Sequence, residues 1–119
     1  MRRSLLAAAV VAVLIAACGG GAVATPQGTP AVTIELSALN SAFEEKSLTV
    51  PAGVTYAIEF NNKDSVPHNV SIQGAPPGSK GEIFSGPAER VYVFPGLPTG
   101  TYTFHCEVHP DMTGTIQAT

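Results

Sequence analysis

Basic side chains are scarce in this 119-residue chain, which holds 6 Lys and Arg against 9 Asp and Glu. Two of the six are Arg2 and Arg3, at the start of an apolar N-terminal segment. Without residues 1–17 the chain keeps 4 basic and 9 acidic side chains, a formal charge of −5. Proteins that bind nucleic acid need a basic face, so this composition excludes a nucleic-acid partner.

Cysteine is scarcer still, with only Cys18 and Cys106 in the whole chain. If an N-terminal leader is cleaved before Cys18 and this cysteine is modified, Cys106 has no intramolecular partner. A disulfide framework is then excluded. A free thiol is a liability in an oxidising compartment unless something occupies it. A bound metal ion would do so.

Long apolar runs are limited to the N-terminal segment, which resembles a bacterial lipoprotein signal. The positive pair Arg2 and Arg3 precedes an uncharged run over residues 5–17, which is short for a permanent membrane helix. Small residues then lead into Cys18. We expect residues 1–17 to be a cleaved signal peptide, Cys18 to be lipidated, and residues 18–30 to form a lipid anchor and flexible linker.

The alternative for this segment is an ordinary secretory signal cut elsewhere, with Cys18 uninvolved. Either signal exports the chain, so we expect an extracytoplasmic protein, in the periplasm or on the outer face of the cell membrane. With Cys18 lipidated, the protein would be held at the membrane by its lipid anchor.

A convincing helical period is absent from residues 31–119, although residues 41–46 could hold one helical turn. The clearest pattern is the alternation of apolar and polar residues over 54–60, which is typical of a half-buried strand. Glycine and proline interrupt the chain at short intervals. We therefore predict one all-β domain over 31–119, an antiparallel sandwich of about seven or eight short strands, without internal repeats.

The chemistry is concentrated in one segment, where Cys106, His109 and Met112 follow one another at two-residue gaps. A thiolate, an imidazole and a thioether form a soft donor set that suits Cu(I), and Cu(II) accepts it when a second imidazole joins. The candidate for that second imidazole is His68. We expect the amide of Asn69 to hydrogen-bond across to the Cys106 loop and to lock the two ligand segments together.

Two alternatives to this ligand set concern zinc and His105. Zinc sites use similar Cys and His spacings, but Met112 would be a poor zinc ligand. His105 has the opposite strand parity to Cys106, so it should point to the other face of its strand and stay outside the site.

The chain resembles the cupredoxins, the small blue copper proteins. The residues that carry the likeness are Cys106-Glu-Val-His109-Pro-Asp-Met112, Pro67-His68-Asn69 and Tyr102-Thr-Phe104. The short ligand loop is most like that of the amicyanins, with pseudoazurins and plastocyanins more distant. The resemblance implies a Greek-key β-sandwich or barrel and one type 1 copper bound by His68, Cys106, His109 and an axial Met112. It also implies one-electron shuttling, with a partly exposed His109 as the electron port.

Two features depart from the family pattern, the lipoprotein leader and the Glu107-Val108 pair inside the loop, and they leave the partners open. The leading interpretation is a monomeric, membrane-tethered electron carrier between a redox protein donor and an acceptor. The alternative is a copper carrier that delivers its ion to an oxidase. A multicopper enzyme needs further histidines, and only His105 is left over. A sandwich that lost its metal is disfavoured because all four ligands are present.

Overall fold

Residues 28–119, the part of the chain that this computed structural model describes, contain ten short β-strands and no helix. In chain order they are β1 (Val32–Leu39), β2 (Ala42–Phe43), β3 (Ser47–Val50), β4 (Tyr56–Asn62), β5 (Pro67–His68), β6 (Ser71–Ile72), β7 (Phe84–Ser85), β8 (Ala88–Phe94), β9 (Gly100–His105) and β10 (Thr113–Ala118). The predicted signal peptide, Cys18 and most of the predicted linker lie outside these residues. Within them, no helix could cross a membrane.

The strands form two four-stranded sheets and a small ribbon. One sheet has the order β2-β1-β4-β8, the other has the order β3-β10-β9-β6, and β5 pairs with β7. The predicted all-β sandwich is confirmed. The prediction that it is antiparallel throughout was wrong, because β1 runs parallel to β4 and β3 runs parallel to β10. Between β1 and β4 the chain crosses to the other sheet and forms β3. It then returns to the first sheet running in the same direction as β1.

The segment that could have held a helical turn is instead a hairpin. Asn40 and Ser41 have φ angles of 54° and 55°, and Leu39 pairs with Ala42 on the other side of them. Two consecutive residues with positive φ make the tight turn whose twist matches that of paired strands. This hairpin adds the short strand β2.

Residues 67–72 hold two short strands, β5 and β6, which helps to raise the strand count above the predicted seven or eight. His68 pairs with Phe84 in the ribbon, whereas Ser71 pairs with His105 in the second sheet. The chain therefore changes partners at Asn69 and Val70. Both of these residues are fully buried, so the change takes place inside the protein rather than in a surface loop.

Aromatic rings fill the space between the sheets and meet mostly edge to face, the arrangement that ring electrostatics favours. The Phe43 ring lies 5.0 Å from Phe104 and 6.1 Å from Phe60, measured between centroids. Cys106 and Met112 belong to the same buried cluster. The core therefore continues without a break into the segment that carries the predicted ligands.

Gly114 gives a test of this packing, because a Cβ atom there would overlap the ring of the buried Phe104. Overpacking a core typically costs about 1–3 kcal/mol, so we expect Gly114→Ala to lower the free energy of unfolding by that amount in urea titrations. Gly28→Ala is the control, because its added Cβ would lie 3.8 Å from Thr55 Oγ1, an ordinary contact. Equal unfolding midpoints for the two variants would contradict close packing of Phe104 against Gly114.

Candidate metal centre

Three donor atoms from two segments of the chain meet beside the core. His68 ends β5, Cys106 directly follows β9, and His109 lies in the loop that leads to β10. The Nδ1 atoms of the two histidines are 3.1 Å apart, and Cys106 Sγ lies 3.8 Å from His68 Nδ1 and 3.9 Å from His109 Nδ1. The structure thus brings together three of the four residues predicted as ligands, although His68 and Cys106 are 38 positions apart in sequence.

The size of this triangle fits a metal ion. A circle through the three atoms has a radius of about 2.1 Å, and first-row ions such as Zn²⁺ bind imidazole at about 2.0–2.1 Å and thiolate at about 2.3 Å. His68 and Cys106 are fully buried, and His109 is half-buried. Two imidazoles and one thiolate in a trigonal arrangement form the donor set of blue copper sites, so the residues present fit copper.

The fourth predicted ligand, Met112, closes the loop through its backbone. Its N–H donates to the carbonyl oxygen of His109 at 2.9 Å, and its own carbonyl accepts from the N–H of Cys106 at 3.0 Å. Met112 is 2% exposed and packs in the core cluster with Cys106. These contacts keep the residues of the loop in a fixed relation to Cys106, and the role of Met112 as an axial ligand stays a prediction.

Asn69 links the two ligand segments. Its Oδ1 accepts from the backbone N–H of Glu107 at 2.9 Å, and its Nδ2 donates to Glu107 Oε2 at 2.8 Å and to the carbonyl oxygen of Gly81 at 3.1 Å. The sequence led us to expect the amide bond to the Cys106 loop. The part of Glu107 was not expected: its carboxylate binds Asn69 on one side and lies 3.4 Å from Lys80 Nζ on the other.

Asp64 was also missed by sequence reasoning. Its Oδ2 lies 2.8 Å from Nε2 of His68, on the ring edge that faces away from the donor triangle. Its carboxylate also accepts from the backbone N–H groups of Asn40 at 2.8 Å and Ser41 at 2.9 Å. The hydrogen bond from Ser41, followed by that from His68, lowers the pKa of Asp64 below its usual value. The sequence signal that could have indicated this contact was a carboxylate four positions before a predicted ligand.

His105 lies outside the donor group, in agreement with its strand parity. It is half-buried in β9, where it pairs with Thr113 on one side and Ser71 on the other. Within residues 28–119 the donor triangle is the one group of His, Cys and carboxylate side chains with metal-binding spacing.

A β-sandwich with a buried site of two histidines and one cysteine defines a class, the blue copper proteins. Residues 5–118 match the family described as the Cupredoxin-like domain. The chain belongs to this cupredoxin family. The expected resemblance is thereby confirmed, and it places the protein among one-copper electron-transfer proteins, which are carriers rather than enzymes.

Individual relatives agree with this membership. The chain is 30% identical over 120 residues to amicyanin-alpha of Methylorubrum extorquens, across 98% of both chains. It is 36% identical over 89 residues to a plastocyanin of Nostoc punctiforme, across 63% of each. A structure of auracyanin B superposes with a TM-score of 0.68 over 77% of this chain and 91% of that one. At 23% identity the last likeness concerns the fold alone.

The link made by Asn69 can be tested without metal. Asn69→Ala would leave the Glu107 N–H and the Gly81 carbonyl without this partner, and unsatisfied buried groups cost about 1–3 kcal/mol. We expect a loss of that size in thermal unfolding of the metal-free protein. Asn61→Ala is the matched control, because the Asn61 side chain makes no hydrogen bond within residues 28–119. A loss confined to the metal-loaded protein would show that Asn69 does not fasten the two segments by itself.

Proposed function

We propose that this protein is a type 1 copper one-electron carrier, with His68, Cys106 and His109 as the equatorial ligands and Met112 as a weak axial ligand. The observation that carries the proposal is the donor triangle, which has two fully buried members and is matched in size to a metal ion. Copper in such a site supplies a Cu(II)/Cu(I) couple. Family membership supports the same ligand set.

The surroundings of the ligands favour electron transfer with little rearrangement. The backbone bonds between Cys106 and Met112 and the side-chain bonds of Asn69 hold the donors from outside the triangle. Their positions therefore do not depend on the ion's own preference in either oxidation state. Full burial of His68 and Cys106 keeps water away from the thiolate.

His109 is the ligand that a redox partner would approach. It is half-buried, whereas the other two members of the triangle are fully buried. Its neighbours Val108 and Pro110 are exposed and apolar, and Val108 is 39% exposed. These two apolar residues beside a partly open ligand suit brief docking, because they add contact area without a charged group that must lose water. We propose a donor and an acceptor protein as partners, with this protein acting as a monomer.

The first experiment is a visible and EPR spectrum of the purified protein with one equivalent of Cu(II). We expect an intense blue sulfur-to-copper charge-transfer band that Cys106→Ala abolishes, because Cys106 is the thiolate of the triangle. His105→Ala is the matched control and should keep the band, since His105 is an adjacent histidine outside the triangle.

The same spectra separate electron transfer from copper delivery, the second function that these donors would serve. A carrier that hands its ion to an oxidase needs a labile site and has no need of an intense Cu(II) band. A pale adduct that a chelator strips readily would therefore contradict the electron-transfer proposal and support copper delivery.

We further propose that residues 1–17 are removed, that Cys18 carries lipid, and that residues 18–30 tether the domain of residues 31–119 to the extracytoplasmic side of a membrane. The support is the sequence pattern around Cys18. A flexible linker of this length has a root-mean-square span of about 20 Å. Such a span would let the anchored domain turn its His109 surface toward different partners.

The anchor predicts where the protein is found after cell fractionation. We expect the wild-type chain in the membrane fraction with an incorporated fatty-acid label, and Cys18→Ser in the soluble fraction without label. Cys106→Ser, which removes the other cysteine, should remain with the membrane. Membrane retention of unlabelled Cys18→Ser would argue against lipid anchoring.

A further inference from the structure

We propose that Asp64 is a positioning residue for the metal site, which fixes the His68 ring with Nδ1 toward the donor triangle and biases a bound copper ion toward its oxidised state. The inference rests on the proposed copper function for its redox part. Its positional part concerns the metal-free protein and stands on the geometry around His68.

The tautomer of His68 follows from what Asp64 can accept. A histidine ring that is neutral carries one N–H, on either Nδ1 or Nε2. An ionised carboxylate is an acceptor only, so the 2.8 Å contact between Asp64 Oδ2 and His68 Nε2 requires the hydrogen on Nε2. Nδ1 then carries a lone pair instead of a hydrogen, and this atom faces His109 Nδ1 at 3.1 Å and Cys106 Sγ at 3.8 Å. The ligand nitrogen is thus prepared before any ion arrives.

The carboxylate is itself held in place by the β1–β2 turn. Successive backbone N–H groups in a turn can form a concave anion site, and Asn40 and Ser41 present their N–H groups to the two oxygens of Asp64. On the other side, the backbone N–H of Asp64 donates to Asn62 Oδ1 at 2.9 Å. The Asp64 side chain is only 13% exposed, so it is a fixed acceptor rather than a mobile surface group.

The charge has a consequence for the ion. A carboxylate on the far nitrogen of a ligand imidazole makes that ring a stronger donor. A stronger donor, and a nearby negative charge, stabilise the more highly charged Cu(II) relative to Cu(I). Removing the carboxylate should therefore raise the reduction potential and weaken Cu(II) binding. Loss of such partners typically lowers metal affinity about 10–100-fold.

The test uses the full protein and begins without metal. Nitrogen NMR of the metal-free wild type at fixed pH should show the His68 hydrogen on Nε2, and a hydrogen on Nδ1 would overturn the proposal without any variant. Asp64→Asn keeps the shape but offers a single acceptor oxygen to three N–H groups. We expect it to give a mixture of His68 tautomers, Cu(II) binding weaker by about 10–100-fold in competition titrations, and a higher reduction potential.

Glu44→Gln is the control, because it removes one negative charge just after the same hairpin from a carboxylate that binds Lys63 instead of a histidine. Equal changes in potential for the two variants would show a general charge effect and overturn the specific role of Asp64. An unchanged tautomer and an affinity within about twofold of wild type in Asp64→Asn would do the same. The NMR result does not depend on the colour of the copper adduct, so a failure here is distinguishable from a failure of the proposed function.

Discussion

The hydrogen bonds between Asn69 and Glu107 fasten two parts of the chain that are 38 positions apart, and the rest of the site depends on them. Asn69 lies where the chain leaves the β5–β7 ribbon and joins the second sheet. The residue before it carries one imidazole, and the residue before Glu107 carries the cysteine sulfur. Asn69 and Glu107 directly follow the donor residues His68 and Cys106 in the sequence. Their hydrogen bonds therefore set the distance between the two donors.

These hydrogen bonds are needed because burying the donor side chains costs free energy. A buried imidazole and a buried thiol have lost contact with water, and an unpartnered polar group inside a protein costs free energy. The structure partly offsets this cost by giving the outer nitrogen of His68 a carboxylate partner and by enclosing Cys106 in the aromatic core. The stability of the sandwich thus holds the donors close together, and a bound ion would recover part of that cost.

The sequence was informative where structure is local and uninformative where it depends on distant partners. The alternation over residues 54–60 identified β4, and the spacing of Cys106, His109 and Met112 identified the loop, because both patterns repeat within a few residues. β1 and β4 pair in parallel because the chain crosses to the other sheet between them. The local alternation of apolar and polar residues does not indicate that crossover. The contact of Asp64 with His68 depends on the turn at Asn40 and Ser41, more than 20 positions earlier in the chain.

The two histidines of the site share one chemistry but have different surroundings. His68 is fully enclosed, with Asp64 fixed on its outer edge, whereas His109 lies half-open between exposed neighbours on a loop. A ring held on both edges is suited to keeping a ligand geometry constant. A ring with one open edge is suited to contact with another molecule. In a one-electron carrier both tasks are required at a single ion. The fold separates them, because one histidine lies in the buried segment between two sheets and the other lies in the surface loop.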